Sequence, residues 1–196
     1  MAERKGAVAR ETGETTVRVE LNVDGTGVCE VSTGVKMLDH LLEQVARHGL
    51  FDIKISASGE DQHHMVEDVA ICVGQALHRA LGGKEGLVRM GDSLVPMDEA
   101  LSQVAVDISG RAWTVVDVRL SRVDVGDLEA DMVRHFLVSL ASEARLALHA
   151  RIIYGTNDHH MAESLFKALG RALDAATRID ERRAGGVPST KGKIGE

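Results

Sequence analysis

HHMVEDVAICVGQALHRALG (residues 63–82) and HHMAESLFKALGRALDAATR (residues 159–178) are two versions of one segment. Each opens on His-His-Met, places a glutamate one helical turn after the first histidine, and continues with apolar residues at helical spacing. Working outward, a further histidine precedes each segment at nearly the same interval, His40 before the first and His135 before the second. His40 lies in Val35–His48, where Met37, Leu38, Leu41, Leu42 and Val45 predict a helix that Gly49 would stop. His135 lies in a predicted helix running from about Asp131 to Leu148. The first segment is predicted helical over His63–Leu81 and the second over His159–Arg178.

Strands fill the gaps in the same order in both halves. Thr15–Val23 alternates with Val17, Val19, Leu21 and Val23 on one face, and DGTG is read as the turn of an opening hairpin to Val28–Ser32. Phe51–Ser58 alternates again. In the second half, Val88–Val95, Leu101–Ile108, Trp113–Val118 and Ala150–Tyr154 read as strands. The expected fold is therefore α+β: two tandem repeat halves, residues 1–84 and 85–180, each a small mixed or antiparallel sheet with two helices packed on one face. They form one compact domain, followed by a Gly-rich, polar tail over residues 181–196.

Composition narrows the function classes. With 196 residues and 44% hydrophobic content the chain can bury a normal core, and its net charge of -7 offers no long-range attraction to nucleic acid or anionic membrane. Aromatic residues at 3% leave no base-stacking platform. Any phosphate recognition must be local. Cys29 and Cys72, the two cysteines, form neither a disulfide framework nor a metal knuckle, which fits a reducing compartment. The opening MAERKGAVARETGE lacks the apolar stretch of a secretory signal, and the apolar run Val69–Leu77 is too short to span a bilayer. The expectation is a cytoplasmic protein with neither a nucleic-acid nor a membrane partner.

Six of the nine histidines fall at equivalent places in the two halves. On a helix, residues four apart share a face, so His63 pairs with Glu67 and His159 with Glu163, each pair offering an imidazole and a carboxylate to one ion. His64 and His160 point about 100° away and serve a different ion. Two-fold related halves would then form two similar sites of three imidazoles and one carboxylate. Such ligands suit manganese, iron or zinc better than magnesium or calcium, without separating the first three. A single His-His pair at a helix start serves equally well as a cap or surface feature; repetition in register favours ligation. His78 and His149 read as surface or packing residues, whereas His48, two turns beyond His40 on the same face, points toward the site.

The strings RETGET (10–15), MLDHLL (37–42), HGLFD (48–52), HHMVEDVA (63–70), DEAL (98–101), DISGR (107–111), HHMAESLFKALGRAL (159–173) and PSTKG (188–192) span nearly the whole chain in order. They resemble the signature segments of the imidazoleglycerol-phosphate dehydratase family. The resemblance implies a fold like domain 2 of ribosomal protein S5. It implies manganese-dependent removal of water from imidazole glycerol phosphate, giving imidazole acetol phosphate in histidine biosynthesis. It also implies two Mn2+ ions per active site, one held by His40, His64, His159 and Glu163, the other by His63, Glu67, His135 and His160. The phosphate would be held by Arg89, Arg111, Ser189 and Lys191 of a substrate-binding tail and its surroundings, with His48 and Lys167 also at the substrate. Glu14 would be the catalytic base, two cations would stabilise the ring as imidazolate, and no redox cofactor is needed. Trimers would assemble into a 24-mer.

Three positions depart from the family pattern: Met65, Met90 and Arg134. Met65 and Met90 are expected to repack apolar neighbours, whereas a cation at Arg134 beside His135 weakens metal binding unless it points away. LNVDGTG imitates a phosphatase loop but has Asn22 at the nucleophile position, and GGVPSTKGK lacks the Gly-Lys pair of a P-loop. Two rival readings use the same residues. One is a dinuclear metallohydrolase acting on a small phosphorylated substrate; the other is a structural or storage assembly in which the ions are glue.

Overall fold

The computed structural model of the chain describes residues 3–195. The first half runs β1 (Lys5–Glu11), β2 (Thr15–Asn22), β3 (Cys29–Ser32), α1 (Lys36–Gly49), β4 (Asp52–Gly59) and α2 (Gln62–Leu81). The second runs β5 (Met90–Met97), β6 (Ala100–Asp107), β7 (Trp113–Asp117), a short hairpin of β8 (Asp124–Val125) and β9 (Leu128–Glu129), α3 (Ala130–Ala144), β10 (Ala147–Tyr154) and α4 (Asp158–Thr177). The sheets have matching orders, β1-β2-β4-β3 and β5-β6-β10-β7. In each, one neighbouring pair is parallel (β3 with β4, β7 with β10) and the rest antiparallel. The expected α+β fold of two equivalent halves is what the chain adopts.

Alternation puts Val17, Val19 and Leu21 of β2 and Ile53 and Ile55 of β4 on the buried face of the first sheet. Val104, Val106, Leu148 and Ala150 do the same in the second. Helices of opposite halves pack on each other, α1 on α4 and α2 on α3, so one continuous core runs between the sheets. Two glycines at the same position of the repeat permit this approach. A Cβ on Gly74 of α2 would lie 2.7 Å from the Leu140 carbonyl oxygen of α3, and one on Gly170 of α4 would lie 2.8 Å from the Val45 carbonyl oxygen of α1. No helix among the described residues is long and apolar enough to cross a membrane.

Several expectations need correction. Strand β1 was not foreseen, because its inward face presents Gly6, Val8 and Arg10 in place of an apolar alternation. Gly6 is required there since a Cβ would collide with the Ala76 carbonyl of α2; Gly91 of β5 stands in the same relation to Ala172 of α4. The opening hairpin is therefore β1–β2, and DGTG does not turn β2 back onto β3. Instead the segment crosses the end of β4, where the Asp52 carboxylate accepts from the backbone N–H of Thr26 (2.8 Å) and Val28 (3.0 Å). The helix expected through Leu148 ends at Ala144. Arg145 takes a left-handed conformation (φ 52°), and Leu148 and Ala150 alternate inward on β10. Gly49 lies inside the last turn of α1, packed against Phe51 and Gly170, and Leu50 supplies the left-handed cap (φ 56°). Met90 is exposed, whereas Met65 is buried as expected.

Candidate metal centre

The starts of α2 and α4 are fixed before any side chain of the site is placed. Asp61 caps α2, accepting from the His64 N–H at 2.9 Å, and Asn157 caps α4, accepting from the His159 N–H at 2.9 Å. The turn of the β8–β9 hairpin clamps the first half. Asp127 accepts from the N–H of Lys36 (2.9 Å) and Met37 (2.8 Å) at the start of α1, and its carbonyl accepts from Gln62 Nε2 at 2.7 Å. Asp158 is held likewise by the N–H groups of Ser121 (3.1 Å) and Arg122 (2.8 Å). These contacts tie the histidine-bearing helices of both halves into one frame.

One cluster joins α1 to α4. His40 Nε2 lies 2.9 Å and His159 Nε2 3.1 Å from the same Glu163 oxygen, and the two rings stack with centroids 5.3 Å apart. The other Glu163 oxygen meets Lys167 Nζ at 2.8 Å. Burial on its own would raise the Glu163 carboxyl, but the hydrogen bonds from Lys167 and His40 outweigh it and hold the group at about 2. The second cluster joins α2 to α3. The His63 and His135 rings lie 4.7 Å apart, and His135 Nε2 is 3.6 Å from Glu67 Oε1. In each trio the ligand atoms lie within 4.8 Å of one another.

The donor set fits a cation. His135 Nε2 is buried without a hydrogen-bond partner among the described residues, although a carboxylate stands nearby. A buried ring nitrogen in that condition lacks the partner that nearly all buried polar atoms have. A metal ion between imidazoles and carboxylate supplies it. The carboxylate at about 2 is already in the anionic form that ligation needs.

The structure thus brings together three members of each predicted set of four. The remaining two, His64 and His160, face another way, as the turn of the helix dictates. His64 Nδ1 lies 3.1 Å from a Glu14 carboxylate oxygen, out of line for a hydrogen bond. His160 Nδ1 is hydrogen-bonded to Glu99 Oε2 at 2.7 Å. Glu14 and Glu99 occupy corresponding turns, β1–β2 and β5–β6, but in different states. Glu99 also accepts from the N–H of Thr156 (3.1 Å) and Asn157 (2.8 Å), and with His160 these bonds pull its carboxyl down to about 2. The Glu14 turn is braced from below by Arg10 Nε on Asp68 (2.6 Å) and by Thr15 on the same carboxylate, while the Glu14 side chain stays exposed.

Arg89, Arg111, Ser189 and Lys191 line one cavity of about 590 Å³, together with Ser109, Arg183 and Lys193, which sequence reasoning missed. Arg89 is bidentate to Asp107, Nε at 2.7 Å and Nη2 at 3.0 Å, and its Nη1 donates to the Pro188 carbonyl at 2.7 Å. His48 lines a different cavity with Arg47, Arg171 and Arg178. Burial first, then the charges of Lys167 and Arg171, lower its pKa. Arg134 is exposed, with no hydrogen bond or ion pair to any described residue. His149 is exposed on its strand, and His78 is half-buried away from both trios.

A family model described as imidazoleglycerol-phosphate dehydratase matches residues 33–173. The chain is 55% identical over 194 residues to the imidazoleglycerol-phosphate dehydratase of Dehalococcoides mccartyi strain CBDB1, with 99% of each chain covered. It is 55% identical over 194 residues to that of Roseiflexus sp. strain RS-1, covering 97% of this chain and 98% of the other. Among solved structures, the Staphylococcus aureus N315 imidazoleglycerol-phosphate dehydratase matches 90% of this chain and 99% of its own, with TM-score 0.82 and 33% identity. The Pyrococcus furiosus protein, in complex with (S)-C348, matches 95% of this chain and 100% of its own, with TM-score 0.83 and 35% identity.

Proposed function

Since the chain belongs to the imidazoleglycerol-phosphate dehydratase family and carries out that dehydration in histidine biosynthesis, we propose that it does so with two Mn2+ ions per active site. The observation that carries the reading is that each of two trios gathers its ligand atoms, His40 with His159 and Glu163, and His63 with Glu67 and His135. His64 would complete the first set and His160 the second. When bound, two cations stabilise negative charge on the imidazole ring of the substrate as a side-chain proton departs.

The chain's own residues divide the remaining work. Glu14 takes the proton from the side-chain carbon next to the ring. Its counterpart Glu99 is pinned by His160 and two backbone N–H groups. The Glu14 side chain is exposed, with His64 beside it, and can approach a substrate. Lys167 fixes Glu163 and stands ready to orient substrate, with His48 further along α1. Arg89, Arg111, Ser189 and Lys191 hold the phosphate dianion with two guanidinium forks, an ammonium and a hydroxyl, which makes residues 181–196 a substrate-binding tail behind halves 1–84 and 85–180.

The reading also requires more than one copy of the chain. Arg89 is anchored through its N–H to Ala176 at the end of α4, and Glu163 lies in the first turns of that helix, roughly 20 Å away at 1.5 Å per residue. The substrate spans only about 8 Å from ring to phosphorus, given bond lengths near 1.5 Å. The backbone separation is more than twice the length of the substrate, and the reading assigns the phosphate cavity of one subunit to the metal trios of another. His64 and His160, which face away from the trios of their own chain, would join the trios of neighbouring copies, in trimers building to a 24-mer. Two free cysteines suit a cytoplasmic setting.

The test is to incubate purified, manganese-loaded protein with imidazole glycerol phosphate and follow both products. Imidazole acetol phosphate with no release of inorganic phosphate is expected. Phosphate release without the acetol product would instead establish the hydrolase reading.

A further inference from the structure

We propose that Asp107 is a positioning residue that aims the Arg89 guanidinium at the substrate phosphate and thereby sets the preference for a phosphorylated substrate; the inference rests on the phosphate reading given above. Arg89 is held at every level. Its backbone adopts φ 81°, in the left-handed region where a side chain is strained. Its N–H donates to the Ala176 carbonyl at 2.9 Å and its carbonyl accepts from the Ile108 N–H at 3.0 Å, so α4 and the end of β6 together enforce that conformation.

The side chain is fixed as tightly. Asp107 takes Nε–H and one hydrogen of Nη2, the side-on edge of the guanidinium, and Pro188 O takes one hydrogen of Nη1. A guanidinium has five N–H donors. The two left over, one on each Nη, remain for the oxygens of a phosphate. Asp107 is itself fixed, closing β6 opposite Met90, and its side chain is only 28% exposed. The same Arg89 also latches the tail: Pro188 directly precedes Ser189, so Asp107 indirectly governs where the Ser189 hydroxyl and Lys191 stand.

A positioning role and a mere charge-balancing role predict opposite signs. Asp107 is an anion beside an anion site, and on charge alone its removal strengthens phosphate binding. If it positions Arg89, removal weakens binding because the guanidinium is released. The experiment compares Asp107→Asn and Asp107→Glu with the parent, all manganese-loaded, measuring kcat, KM for imidazole glycerol phosphate and Ki for inorganic phosphate as competitor.

Both variants are expected to raise KM and Ki at least about tenfold, the loss falling on KM more than on kcat. Asp107→Glu keeps the charge but moves it, so its loss isolates geometry. In an Arg89→Gln background Asp107→Asn should add little. Unchanged or tighter phosphate binding in Asp107→Asn, alongside weaker binding in Arg89→Gln, overturns the positioning role alone. If Arg89→Gln leaves KM and Ki unmoved, the phosphate reading fails first. Size-exclusion profiles matching the parent's establish that each variant is folded; a misfolded Asp107→Asn leaves the Asp107→Glu values to decide.

Discussion

Gly170→Ala tests how the fold sets the geometry of the first metal trio. The added methyl would sit 2.8 Å from the Val45 carbonyl oxygen and 3.1 Å from both the Gly49 nitrogen and Val45 Cα, where ordinary contact begins at 3.4 Å. All of those neighbours are α1 backbone, which has no rotamer to change, so relief requires α1 and α4 to part by roughly half an ångström. Replacing a helical glycine by alanine gains about 1 kcal/mol of intrinsic propensity. Overpacking a close helix crossing costs about 1–3 kcal/mol. The net is a loss of up to about 2 kcal/mol in urea unfolding of the metal-free protein. His40 rides on α1 and Glu163 on α4, so the same displacement spreads their 2.9 Å contact. Metal sites tolerate about 0.5 Å of error. Mn2+ affinity, measured by titration calorimetry, should fall about tenfold or more. A Gly170→Ala protein more stable than the parent and with parental Mn2+ affinity would refute the claim that this glycine sets the helix separation.

Four further outcomes follow from the same geometry. Glu14→Gln should lower kcat about 10²- to 10⁴-fold while Mn2+ content stays within error of the parent; a smaller fall removes Glu14 as the base. Mixing Glu163→Gln with Arg89→Gln, each nearly inactive alone, should restore on the order of a quarter of parental activity after co-assembly, because some sites then draw both parental contributions from different subunits. No recovery in hybrids confirmed by mass would mean that one subunit holds both halves of the site. Chelation should lower activity and the size of the assembly in parallel, and a full-sized metal-free particle would separate the two. Finally, Asp52 is held below its ordinary value by the N–H groups of Thr26 and then Val28. A depressed folded pKa stabilises above the unfolded value of about 3.9 and is lost as pH falls through the folded one. The stability difference between parent and Asp52→Asn should therefore be largest near pH 7 and shrink below about pH 4; a flat difference down to pH 3 would contradict it.

What could be read from the sequence was what repeats with a period. Apolar spacing disclosed all four helices, and the in-register His-His-Met segments disclosed which residues share a face. The trios follow because His63 and Glu67, or His159 and Glu163, lie one turn apart. Features decided by distant neighbours were not legible. Gly6 and Gly91 look like strand breakers until Ala76 and Ala172 are seen against them. The DGTG segment carries hairpin chemistry, yet Asp52, far along the chain, satisfies its backbone and sends β3 to the other side of β4. The braces at Asp68, Asp107, Asp127 and Glu99 join residues with no characteristic spacing, so no local pattern announces them.

The trios cross the boundary between halves in mirrored fashion: α1 lends one histidine to α4, and α3 lends one to α2. Two identical half-length chains arranged about a dyad would therefore already have contained both cation cradles, each the image of the other. In one covalent chain the twins can differ. Lys167, one turn past Glu163, corresponds to Ile71, one turn past Glu67, so only the first cradle has a lysine at that place. The two cradles therefore differ in the charge around their carboxylates, an inequality that a strictly symmetric pair could not have had.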